Sequence, residues 1–189
     1  MKPYLLDHVE SLGHAVFTSG KYNLNIIGIR NKNGKVNKFD DRICVVYKNY
    51  KGWVTRTWKC TTDPGRYWLN KPINIRGTAI LVPGQYRGVY KIDKHAGRYD
   101  ALCQRNGKVK TFRDSNKDSI IDMDYDSVTE GRYGINIHKA GSSSTQVDRW
   151  SAGCTVFANS SDFDNFLSIC KKQISVRGWR TFTYTLIEV

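Results

Sequence analysis

The amino-acid sequence predicts a mainly β fold with one or two helices, an α+β domain, on three observations. Eleven Tyr and five Trp, many beside Val, Ile or Thr, favour extended backbone. Short apolar runs recur between turn signals such as Asn31-Lys32-Asn33-Gly34, Asp63-Pro64-Gly65 and Asn106-Gly107. Only two segments carry a helical period. The 189 residues suit a single domain over 1–189 with an ample core, and 40% hydrophobic residues exclude a disordered chain.

Leu5, Leu6, Val9 and Leu12 recur at helical spacing, so a short helix is expected near 3–16, within an N-terminal segment of residues 1–20. Residues 23–30 read as a strand. Residues 43–49 and 53–62 read as a hairpin turning at Lys51-Gly52. Further strands are expected at 78–82, 88–93, 99–105, 108–113 and 134–138. Residues 160–173 form the second helix, with Ser160 or Ser161 as cap and Phe163, Phe166, Leu167 and Cys170 on one face. The terminal TFTYTLIEV is a strand.

The net charge is +13, which attracts polyanions such as an anionic cell wall. The basic residues are scattered, without an arginine-rich run, so charge alone does not choose among cell wall, anionic membrane surface and nucleic acid, of which nucleic acid is the less expected partner. The five cysteines (Cys44, Cys60, Cys103, Cys154, Cys170) show neither zinc nor disulfide-framework spacing. That implies synthesis in a reducing cytoplasm with at least one free thiol. The N-terminus lacks a signal-peptide core, and no stretch reaches the ~20 apolar residues of a membrane span. Walker-type, dinucleotide-binding and H-E-x-x-H motifs are absent, which speaks against nucleotide or zinc enzymes.

The chemistry concentrates in Gly134–Phe157, GINIHKAGSSSTQVDRWSAGCTVF. A strand delivers His138, a Gly/Ser-rich loop follows, and the chain returns through Ser151, Ala152, Gly153 and Cys154. A thiol with its ordinary pKa of ~8.5 needs a nearby base, and the loop can return Cys154 to His138 for that purpose. Gly153 permits a tight turn that aims backbone amides at a reacting carbonyl, as an oxyanion hole requires. Taken singly, Cys154 reads as an inert buried thiol and His138 as a core histidine; taken together with Ser151 and Gly153 they read as a nucleophile and its base. The other four cysteines read as core.

An I-H strand end followed by a loop and S-x-G-C resembles the signature of the L,D-transpeptidase catalytic domain. The resemblance implies a β-sandwich and a Cys–His pair that forms an acyl-enzyme on peptidoglycan stem peptides. Cys154 matches the nucleophile, His138 the base, and Ser151 and Gly153 the residues before the cysteine. The sequence departs from the family at Lys139, where Gly or Ser is usual, at Ala152, where a second histidine stands, and at Val156, where an arginine stands. The segment is similar to phage-encoded relatives, which implies a lytic enzyme reaching bacterial peptidoglycan after release. Transpeptidation is the alternative outcome, and a non-catalytic basic module binding cell wall or nucleic acid is the rival of another class.

Lys139, Arg149 and Arg113 are candidate holders of a substrate carboxylate, and His95, after a strand and before Gly97, is a candidate orienter. Asp114, Asn116, Asp118 and Asp122 stand at positions 1, 3, 5 and 9 of a calcium-loop pattern, with Ser119 replacing the glycine and Tyr125 the final glutamate. Weak calcium binding is one reading; an acidic surface loop bridged to basic neighbours is the simpler one. No cofactor is required by the proposed chemistry, and oligomeric state leaves no signal in the sequence.

Overall fold

The computed structural model describes residues 1–189 and contains eleven strands and three helices. Strands β1 (Asn25–Arg30), β2 (Asp41–Asn49) and β3 (Gly52–Thr61) open the chain after helix α1 (Tyr4–Ser11). Helix α2 (Arg66–Asn70) leads to β4 (Thr78–Leu81), β5 (Gly84–His95), β6 (Tyr99–Gln104), β7 (Val109–Asp114) and β8 (Thr129–Gly131). Then come β9 (Ile137–Lys139), β10 (Thr155–Phe157), helix α3 (Ser160–Arg177) and β11 (Thr181–Glu188).

Eight strands close into a barrel in the order β1-β11-β5-β6-β9-β10-β3-β2, and β4, β7 and β8 form a separate three-stranded sheet. The mainly β class read from the sequence is therefore present, and the strands assigned there to a sandwich are arranged as a closed barrel with a small sheet. Closure depends on parallel pairing of β1 with β11, with Ile26 beside Tyr184 and Gly28 beside Leu186. It leaves no free edge in the barrel for another chain to pair with.

Strand periodicity divides the core. Ile26, Ile43 and Val45 belong to the main cluster, whereas their neighbours Ile27, Cys44 and Val46 pack with Leu6 and Val9 of α1. Both faces of β1 and β2 are thus buried, which is why ICVVY reads as an unbroken apolar run. Helix α3 adds Phe163, Phe166, Leu167 and Cys170 to the main cluster, each large side chain contributing ~1.5–3 kcal/mol of burial. Its cap is Asn159, whose side chain accepts the Ser161 amide, one residue earlier than the expected serines. Gly178, at φ 71°, ends it in the left-handed conformation that costs glycine least. Helix α1 is shorter than the spacing suggested, because Leu12 lies half exposed beyond its last turn.

The face that carries the candidate residues lies outside the barrel wall at β9 and β10. Ile135 and Ile137 point into the main core, so Asn136 and His138 point the other way. Val156, opposite His138 in register, packs beneath the 140–150 loop with Phe39, Ala140, Val147 and Ala158. Cys154 borders that cluster.

Candidate functional site

Strands β9 and β10 run parallel, with Thr155 beside Ile137 and Val156 beside His138. The Thr155 amide donates to the Asn136 carbonyl at 3.0 Å, which sets Cys154 next to Asn136 on the same face as His138. The long loop returns the nucleophile candidate to the strand that carries its base.

Asn136 is the clamp of the site. Its backbone amide donates to Cys154 Sγ at 3.3 Å. Its side-chain oxygen accepts the Gln104 amide at 2.9 Å, so the side-chain NH2 must face His95 Nδ1, 3.1 Å away. His95 Nδ1 is then an acceptor, and the proton of neutral His95 lies on Nε2. Neither Asn136 nor Tyr99, which completes the cluster, was singled out from the sequence. The available signal for Asn136 was its place two residues before His138 on one strand face.

His138 is 4% exposed. Its Nδ1 lies 3.0 Å from the Lys139 carbonyl oxygen, which only accepts; Nδ1 therefore carries the proton and Nε2 keeps its lone pair for base chemistry. The Tyr99 hydroxyl donates to the same carbonyl at 3.2 Å and stands 3.3 Å from Nδ1. The His95 ring stacks on His138 with centroids 4.0 Å apart. Burial first, and then the neighbouring His95, hold the His138 pKa down at about 3. His95 is itself lowered by burial and by the charges of Arg105 and Arg98.

Cys154 is partly exposed, whereas Cys44, Cys60, Cys103 and Cys170 are buried, and all five thiols are free. Burial of its sulfur pushes the Cys154 pKa up to about 11, against the opposing pull of the Asn136 amide. The thiol can donate to the Gly134 carbonyl, 3.5 Å away. At neutral pH the two groups are accordingly a neutral thiol and a neutral imidazole.

The turn before the cysteine is tightly determined. Ser151, fully buried, donates to the Cys154 carbonyl at 2.8 Å and accepts the Gly153 amide at 3.2 Å. Its work is to hold the turn. Because the Gly153 amide is engaged, it is not a free oxyanion donor in this arrangement; the Cys154 amide, which has no acceptor in the protein, is the one left. Gly153 has φ 118°, and a Cβ there would collide with the Ala79 carbonyl oxygen.

The basic candidates separate. Arg113 lines a cleft of about 260 Å³ together with Cys154. Lys139 turns to the surface and pairs with Asp164 at 3.2 Å. Arg149 lies over the Tyr67 ring at 4.1 Å and faces a neighbouring groove with Lys71 and Trp150. His95 joins His138, Asn136 and Tyr99 through the contacts above.

The acidic loop closes on itself. The Asn116 amide nitrogen donates to Asp118 at 3.0 Å and to Asp122 at 2.6 Å, and Asp114 accepts the Asp122 amide at 3.1 Å. No three His, Cys, Asp or Glu side chains are grouped as a metal site. No helix is long and apolar enough to cross a membrane. No protein-family model, curated protein or solved structure matches the chain.

Proposed function

We propose that the protein is a cysteine-nucleophile hydrolase of peptidoglycan stem peptides, an endolysin-like relative of the L,D-transpeptidase type. The observation that carries this reading is the placement of Cys154 directly before β10, whose parallel partner β9 carries His138, with His138 Nδ1 held by the Lys139 carbonyl. An imidazole so held leaves the Nε2 lone pair free to accept a proton.

The reaction begins with attack of Cys154 Sγ on a stem-peptide carbonyl as the thiol proton passes to His138 Nε2. The tetrahedral oxyanion is met by the Cys154 amide, and approach of the sulfur is assisted by the Asn136 amide already bonded to it. The C–N bond then breaks, the imidazolium protonates the leaving amine, and a thioester remains. Water attacks the thioester, giving its proton to His138; the acid departs and the Cys154 thiol is restored. Ala152 and Val156 leave the site without the family's second histidine and arginine, which favours water over an acceptor amine. A net charge of +13 favours retention on an anionic wall.

Mass spectrometry of purified muropeptides incubated with the protein tests the proposal. Shortened stems or split cross-links, lost in Cys154→Ala and His138→Ala, are expected. New dimers, or exchange of a terminal D-amino acid without net cleavage, would assign transpeptidation instead. Wall binding without any turnover, unchanged in both variants, would assign a binding module.

A further inference from the structure

The cleft beside Cys154 carries one formal charge, Arg113, and no acidic side chain lines it. Arg113 also takes part in none of the protein's ion pairs. Its guanidinium is nevertheless fixed on three sides. Nε donates to Thr129 Oγ1 at 3.0 Å, Nη1 donates to the Gly77 carbonyl at 3.4 Å, and Cζ lies 4.2 Å from the Tyr133 ring centroid. The two hydrogen bonds use two of the five N–H donors and leave others for a ligand.

The position of Arg113 relative to the nucleophile is also fixed. It pairs with Ala79 in the β4–β7 ladder, and the Ala79 carbonyl is the atom that abuts Gly153. A short run of backbone therefore joins the guanidinium to the Cys154 turn. A part-buried cation that is oriented but has no protein counter-ion is a ready receptor for a ligand anion. The planar, delocalised guanidinium suits a carboxylate better than a point charge does.

We infer that Arg113 forms a carboxylate subsite in the Cys154 cleft, so that the preferred ligand is a peptide bearing a free carboxylate close to the bond that Cys154 attacks. This rests on the reading of the cleft as a substrate site. Lys139 and Arg149 do not share the role, being committed to Asp164 and to the neighbouring Tyr67 groove. Ile73, Ala79 and Ile135 give the cleft an apolar side, while Asn74 and Thr78 add neutral polar groups near Arg113.

The experiment is isothermal titration of Cys154→Ala protein, which cannot turn over a substrate, with four defined probes. N-acetyl-D-alanyl-D-alanine and its C-terminal amide report a terminal carboxylate. N-acetyl-D-glutamic acid α-amide and N-acetyl-D-glutamine α-amide report a side-chain carboxylate. At least one acid should bind about ten-fold or more tightly than its amide, the strength of a charge-assisted hydrogen bond. The pair that shows the preference identifies the source. Arg113→Gln, made in the same background and checked for folding by circular dichroism, should erase the preference, and Arg113→Lys should keep part of it. Equal binding of acid and amide in both pairs, no binding of any probe at 10 mM (roughly a Kd beyond which a subsite is without use), or a preference that survives Arg113→Gln would each overturn the inference. Because the nucleophile is absent, the outcome is independent of whether stem peptides are hydrolysed; loss of the catalytic reading would appear in the muropeptide experiment instead.

Discussion

The rings of His95 and His138 lie 19° from parallel with centroids 4.0 Å apart, and they come from different strands of the barrel. His95 ends β5, where it pairs with Tyr99 of β6, while His138 belongs to β9. The stack confines one face of the proposed base, the Lys139 carbonyl fixes its Nδ1, and the Asn136 side chain pins His95 itself. His95 is thus a positioning residue for His138.

Replacing His95 separates the ring from its hydrogen bond. His95→Phe keeps a stacking surface and should lower kcat modestly. His95→Ala loses the surface, admits water beside His138, and should lower kcat by ~10- to 100-fold, the usual cost of a loosened catalytic group. KM should change little. In the same variant the His138 pKa should rise, since burial and His95 both hold it down. NMR titration of the imidazole reads this directly. An unchanged His138 titration together with unchanged kcat would remove His95 from the site.

Thiol alkylation follows from the burial of the sulfur. With a pKa of about 11, Cys154 is ionised to about one part in 10⁴ at pH 7. Iodoacetamide should therefore modify resting Cys154 slowly, with a rate rising about ten-fold per pH unit. It should still precede the four buried cysteines, because Cys154 is the partly exposed one. Peptide mapping after timed alkylation at pH 7, 8 and 9 gives the order. A fast, pH-independent reaction would mean a preformed thiolate and a different resting state.

The pH dependence of stability isolates His138. Its folded pKa of about 3 lies below the unfolded value of ~6.5, so the native state resists protonation. The stability this gives is present above pH ~6.5 and is lost as pH falls toward 3, by up to ~1.4 kcal/mol per pH unit. Asp63 acts oppositely, because burial raises its pKa to about 6 and its contribution falls as pH rises from ~3.9 to that value. Urea melts of wild type and His138→Phe at pH 7, 6, 5 and 4 cancel the Asp63 contribution. The wild-type protein should lose stability relative to the variant at each step down. Parallel curves would show that His138 is not held neutral.

Much of this site is legible in the sequence because its parts are close along the chain. His138, Ser151, Gly153 and Cys154 lie within one strand–loop–strand segment, and local turn chemistry suffices to connect them. Barrel closure is different. It requires Ile26 to find Tyr184, and a parallel pairing so distant leaves no local mark. Asn136 was hidden because a polar residue in a strand reads first as an outward one; its value arises only when His95 and Gln104 arrive from the β5–β6 hairpin. Helix α2 is five residues long, too short for a helical period, and β8 follows the acidic loop with three residues that do not alternate clearly. The candidate cations show the same limit: Arg113, Lys139 and Arg149 are equivalent as residue types, and only their surroundings distinguish a cleft from an ion pair.

The last prediction concerns the turn at Gly153, where two different costs of a side chain can be separated. Gly153 has φ 118°, in the left-handed half of backbone space, and a Cβ would run into the Ala79 carbonyl. Gly52, in the β2–β3 turn, has φ 119° but nothing within 4 Å of the same Cβ. Gly52→Ala therefore measures backbone strain alone, on the order of 1–2 kcal/mol. Gly153→Ala adds a collision with backbone that is tied into the β4–β7 ladder and cannot yield cheaply. It should destabilise by ~2 kcal/mol beyond the Gly52 variant. Relief of the collision must move the Cys154 turn away from β4, which pulls the thiol from the Asn136 amide and opens the cleft toward Arg113. Activity should then fall by ~100-fold or more even where the variant remains folded. Urea melts of the two variants, with turnover measured on the folded fraction, test both parts. Equal destabilisation of the two, with Gly153→Ala fully active, would show that the close approach of Ala79 has no part in holding the nucleophile.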